Sequence, residues 1–198
     1  VTNELEAVLA RFEGVLTAAG AAVVPLLRPG IQEAEVSVRL GEIDLDSTSE
    51  LITWFRWHDG AGEMGSVPAR AIEIVPGGEF YWLDYLCREY AMIRETSAQL
   101  VSDPRVPFAE EEVWRSTWFP LLRLFGKGAL AVDLDGDLGD GTPVHVVWWD
   151  SDPIQKSIQK WSSIAAFVET AIQRFTDETI VTNDDGYLEG PDVDQLIG

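Results

Sequence analysis

Cysteine, histidine, methionine and basic side chains are all scarce in this chain of 198 residues. The single cysteine, Cys87, has no partner for an internal disulfide. That excludes a disulfide-stapled secreted scaffold and makes the cytoplasm the expected location. Long apolar runs are missing too: the longest charge-free stretch, Gly14 to Leu27, has 14 residues and contains Gly20 and Pro25, short of the ~20 apolar residues that span a bilayer. Glu4 and Glu6 stand where a secretory signal would carry Lys or Arg, so neither a membrane span nor a signal peptide is expected. Against 34 Asp and Glu there are only 14 Lys and Arg, a net charge of −20. Such a field repels the phosphates of nucleic acids and anionic lipids, so neither is an expected partner.

The material that is plentiful is apolar. Hydrophobic residues make up 46% and aromatics 10%, with eight tryptophans at 54, 57, 82, 114, 118, 148, 149 and 161. This suffices for one well-buried core in a single domain. From Asn3 to Ala19 the apolar positions Leu5, Val8, Leu9, Phe12, Val15 and Leu16 recur at three- and four-residue steps, predicting a helix with Gly20 as its stop. A second helix is expected over Ile31 to Leu40, closed by Gly41, and a third from about Ser47 to Trp57, followed by an Asp59-Gly60 turn. Ala71 to Val75 reads as one short strand. Tyr81 to Gln99 reads as a helix whose aromatic start also suits a strand. Residues 118–125, 129–134 and 143–149 read as strands with short connections, hence antiparallel pairing. Trp161 to Phe175 has helical spacing with Ser162 able to cap it, and the acidic tail after Asp177 reads as a turn at Asn183–Gly186 and a loose terminus. The expected class is α+β: mainly antiparallel sheet, helices packed around it, and an extra N-terminal helix. The expected divisions are residues 1–24 as a helical extension, 25–176 as the domain and 177–198 as the tail.

Few groups point to chemistry. Asp133, Asp135, Asp137 and Asp140 place four carboxylates within eight residues, which invites a calcium loop. With Asp133 as the first ligand, however, the twelfth position is Val144, where a bidentate Glu belongs, and the flanks are strands. The plain reading is a solvated hairpin loop. The functional one is an acidic protrusion offered to Lys and Arg of a partner. His58 and His145 could be imagined in a triad with Ser66, Ser116 or Cys87, but no Gly-x-Ser-x-Gly elbow is present and Cys87 sits among apolar helix neighbours. His145 alternates with Val144 and Val146, so it is expected to face outward. Gly60-Ala-Gly62 and Gly126-Lys-Gly128 lack the spacing of a phosphate loop, and two His and one Cys at remote positions show no zinc spacing. No catalytic residue, metal or cofactor is expected. Trp148 and Trp149 are adjacent on a strand, so one of them faces away from whatever the other buries. Trp148 or Trp149, near Asp150, is a candidate anchor for a partner, the other reading being cover by the closing helix or the tail; of the two, Trp149 is counted in the expected partner surface.

Several segments together carry a resemblance. Leu27-Arg-Pro-Gly-Ile31 precedes an acidic helix ending Arg39-Leu-Gly41. Leu51 runs through to Trp57-His-Asp-Gly60. Trp118-Phe-Pro120 and Ala131-Val-Asp-Leu134 follow, then Gly141, Pro143-Val144 and the closing helix. In this order, over roughly residues 25–176, the chain resembles the SUKH superfamily, the Smi/Knr-like group of fungal cell-wall regulators and bacterial immunity proteins. It departs from that pattern at Leu45-Asp46-Ser47, where the family has a Leu-Pro pair, and the first helix lies outside it. The resemblance implies a compact α+β domain that works by binding another protein, with no catalytic centre. Bacterial members protect cells from polymorphic toxins, many of them nucleases; the other function it implies is a regulatory adaptor tied to cell-wall synthesis or signalling. The partner surface expected on these grounds comprises Asp59, Asp133, Asp135, Asp137, Asp140 and Trp149. Asp59 and Asp133 have a second reading as turn caps, whose replacement by Ala would cost about 0.5–2 kcal/mol.

Overall fold

The computed structural model of the chain describes residues 2–63, 65–102, 109–125, 128–135, 141–148, 158–192 and 195. Its first segment winds so that the periodic apolar positions share one side. Helix α1 (Thr2–Ala18) thereby buries Leu5, Val8, Leu9, Phe12 and Leu16, each worth about 1.5–3 kcal/mol relative to exposure. These residues belong to the same core as the central sheet. The N-terminal helix is therefore part of the domain and not an extension of it.

A short helical turn at Val24–Leu26 leads into strand β1 (Leu27–Pro29), followed by helices α2 (Glu33–Gly41) and α3 (Ser49–Trp57). The Thr48 hydroxyl accepts from the Leu51 N–H at 3.2 Å and starts α3. The predicted turn at Asp59-Gly60 is instead strand β2 (His58–Ala61), antiparallel to β1 with Leu27 opposite Ala61 and Pro29 opposite His58. Two glycines permit this pairing. A Cβ on Gly30 would stand 1.9 Å from the Arg56 carbonyl oxygen, and Gly60, at φ +76°, would put one 2.4 Å from the Trp82 nitrogen.

The predicted strand at 71–75 divides into a helical turn at Ala69–Ile72 and strand β3 (Glu73–Val75), then β4 (Gly78–Glu79), helix α4 (Leu83–Val101) and the short α5 (Glu110–Val113). Strands β5 (Trp118–Leu124), β6 (Gly128–Asp133), β7 (Val144–Trp148) and β8 (Ile158–Trp161) complete a six-stranded antiparallel sheet in the order β3-β4-β5-β6-β7-β8. Trp161 thus ends a strand, and helix α6 (Ile164–Thr176) is capped by Ser163, not Ser162, whose hydroxyl accepts from the Ala166 N–H at 2.9 Å. Residues in register share a face, so Phe119, Val132, Val144 and Trp161 form one buried row across β5 to β8.

A buried carboxylate ties the layers together. Glu50 of α3 accepts from the backbone N–H groups of Thr142 (2.7 Å), Ile164 (3.1 Å) and Ala165 (3.2 Å), joining α3, the start of β7 and the N-terminus of α6. The tail is tied down as far as Glu189. Strands β9 (Val181–Thr182) and β10 (Leu188–Glu189) pair, Ile180 and Leu188 are buried in the common core, and Arg70 donates to the Leu188 carbonyl at 3.1 Å. Among the described residues no helix is long and apolar enough to cross a membrane.

Candidate protein-binding surface

The residues of β1, β2 and the start of α4 meet in one cluster. The first turn of α4 needs an acceptor, and its own N-cap, Trp82, supplies no side-chain bond. Asp59 does so from β2: its Oδ1 accepts from the Leu83 N–H at 2.8 Å, while Oδ2 lies 3.4 Å from the Arg28 guanidinium. Burial pushes the Asp59 carboxyl above its ordinary value. The Leu83 N–H and Arg28 oppose that rise, and Asp84 and Glu35 add to it. Arg28 in turn stands 5.0 Å over the Trp82 ring, a cation–π contact.

Beside it, the His58 Nδ1 donates to the Arg28 carbonyl at 2.7 Å and its Nε2 lies 3.3 Å from Glu13 Oε2. The Trp57 indole N–H donates to the same Glu13 oxygen at 3.0 Å, fixing α1 to α3. On the other side Tyr81 stacks on Tyr85 with centroids 4.2 Å apart, and Trp82 contacts both rings. Arg28, Tyr81 and Trp82 are all half-buried, so each presents part of its side chain to solvent. The rim carries the carboxylates of Glu13 and Asp84, the latter 3.2 Å from Arg39.

Deeper along α4 a buried polar row crosses the sheet. Glu73, Glu79 and Arg123 are in register on β3, β4 and β5 and so share a face. Glu89 of α4 lies 3.4 Å from Arg123, which also donates to the Tyr85 hydroxyl. Burial raises the Glu79 carboxyl and pushes the Tyr85 phenol far up. Glu73 accepts one N–H, from Gly77 at 3.2 Å, while its Oε1 has no hydrogen-bond partner among the described residues, and burial pushes its carboxyl up to about 7. The row anchors α4 to the sheet.

Of the expected partner residues, the structure describes Asp59, Asp133 and Asp135. Asp59 is buried and is occupied as a cap and ion-pair partner. Asp133 is buried as well: its Oδ1 accepts from the Thr117 hydroxyl at 2.8 Å and from the Asp135 N–H at 3.3 Å, and Arg115 lies 3.8 Å from Oδ2. For both, the cap reading describes the geometry. Asp135 is exposed, whereas Asp137, Asp140 and Trp149 lie outside the described residues. His145 turns inward, contrary to expectation: it is buried, stacks on Trp118 with centroids 5.0 Å apart, and burial lowers its pKa. The Cys87 thiol is pushed up to about 12 by burial, the state of a packing group. Among the described residues no group of three His, Cys, Asp or Glu is placed to hold a metal.

Sequence reasoning missed Arg28, Tyr81, Trp82 and Glu13. A signal existed for two of them, since an aromatic pair directly before a helix has no core-facing period of its own. Compared with known proteins, the chain matches no family model and has no significant match among curated proteins.

Proposed function

We propose that the chain is a non-enzymatic protein-binding domain of the SUKH kind, an immunity protein that neutralises a basic toxin domain such as a nuclease. The observation that carries this reading is the half-exposed group Tyr81, Trp82 and Arg28 at the mouth of α4, rimmed by carboxylates. Tyr, Trp and Arg are the residue types that dominate binding energy in protein interfaces. A body at −20 steers a cationic partner toward such a surface and competes with the polyanion that a nuclease must attract. The resemblance supports the same reading, since Leu27–Ile31 and Trp57–Gly60 are the segments that build this mouth.

Co-expression with each basic toxin domain of the source organism, scored by cell survival, tests the proposal. One toxin should be neutralised, its association should slow as salt rises, and Trp82→Ala should weaken binding by roughly 10-fold or more with the fold retained. Survival with no toxin, or Trp82→Ala binding at the wild-type affinity, would overturn it.

A further inference from the structure

A second surface lies where α1 and α6 both end, joined to the first through the Phe175–Phe12–Trp57 contacts. Between their last turns and β9 runs an open groove of about 470 Å³, within the range of side-chain and ligand sites. Its apolar wall is Val15 of α1, Phe175 of α6, Ile180 and Val181, and Val181 is 45% exposed. Its polar edge is Glu178 and Thr182.

The electrostatics of this groove are one-sided. Both helices end beside it, and a helix C-terminus carries a partial negative charge, reduced here because the last carbonyls accept from the backbone N–H groups of Ala19, Gly20, Ala21, Asp177, Glu178, Thr179 and Ile180. The last turn of α1 contains no basic residue. The one cation in the last turn of α6, Arg174, lies 3.7 Å from Asp177 and is thereby offset. Glu178 adds a full carboxylate at the groove's edge, held there by a backbone at φ +58° whose N–H donates to the Phe175 carbonyl at 3.2 Å. Hydrogen bonding within this corner uses backbone and hydroxyl groups: Thr182 donates to the Ala19 carbonyl at 2.6 Å and Thr176 to that of Ile172 at 2.9 Å. The result is an apolar trough with a negative rim. An acidic or neutral polar segment would be repelled or poorly desolvated there. An apolar side chain flanked by cations would match both wall and rim.

We propose that this groove seats an aliphatic or aromatic side chain flanked by Lys or Arg, contributed by a basic protein partner. The inference extends the binding reading to a second surface. Its test uses no toxin, so its failure and that of the neutralisation experiment are separate results.

The test is titration of the isotope-labelled chain with a capped hexapeptide, Lys-Lys-Trp-Leu-Lys-Lys, followed by amide chemical shifts. Two control peptides replace the lysines by glutamate or the apolar pair by serine. Shifts confined to Val15, Ala18, Thr176, Glu178 and Val181 are expected with the first peptide and not with the controls. Glu178→Lys should weaken binding about five-fold, the scale of one exposed charge interaction reversed. Ala18→Phe, which fills the groove from the exposed end of α1, should abolish binding while the remaining amide spectrum shows the fold intact. Shifts elsewhere, none at all, or equal binding of either control would overturn the proposal. So would concentration-dependent shifts of the groove without peptide, which would make the occupant a second copy of the chain.

Discussion

Glu50, at the junction of α3 and α6, and Glu73, in the outermost strand β3, are each only 2% exposed, yet they are held in opposite ways. Glu50 receives three backbone N–H groups from two other elements. Glu73 receives one, keeps a buried oxygen without a partner among the described residues, and stands opposite Glu79 across the strand pair. Loss of water alone does not decide what a buried carboxyl does; the donors that replace the water do. In the first region the two side-chain oxygens are an organising element of the fold, joining three segments of the chain. In the second, burial wins and the group holds its proton toward neutral pH.

Breaking the first region should have the larger effect. Glu50→Ala strands three donors around a buried site and should cost about 3 kcal/mol or more in urea denaturation, whereas Glu50→Gln, which keeps one oxygen acceptor, should cost about half of that. The second region should show itself as a pH slope. A carboxyl whose folded value is raised above the unfolded one, about 4.3, favours the native state fully below the unfolded value and loses that contribution as pH rises through about 7. Stability should therefore fall by roughly 2 kcal/mol between about pH 5 and 8 on this account, and Glu73→Gln should flatten that part of the profile.

Asp59 tests an intermediate case, a buried carboxylate with one donor and one cation. Asp59→Ala should cost about 1 kcal/mol and speed amide exchange in the first turn of α4, since the Leu83 N–H loses its acceptor. The smallest effect concerns Cys87, whose thiol at about 12 carries almost no thiolate near neutrality. Its alkylation by iodoacetamide in the native protein should be at least about 100-fold slower than that of free cysteine.

The sequence made local order legible. The face of α1, the three hairpin-linked strands β5 to β7 and the core of α6 all follow from periodicity over adjacent residues, and the structure has them within a few positions. Non-local order was not legible. Strand β8 is Ile-Gln-Lys-Trp, too short and too polar to show alternation, and it exists because β7 pairs with it. The β1–β2 pair joins segments thirty residues apart, so Asp59-Gly60 looked like a turn when its neighbours in space were Leu27 to Pro29 and Trp82. At the site, Asp133 stands out by the density of carboxylates along the chain and Asp59 by the Trp57–Gly60 segment, each with a second reading as a cap, and both accept hydrogen bonds inside the fold. The surface formed by Arg28 and Trp82 comes from positions too distant to read together.

The contrast between the two glutamates is tested most directly by a carbon NMR titration of the Glu73 side-chain carboxyl in the native protein, assigned through Glu73→Gln. The account predicts a midpoint near 7, coincident with the steep part of the stability profile. A midpoint at the ordinary glutamate value of about 4.3 would contradict it, because burial with a single N–H donor would then not have raised the Glu73 carboxyl.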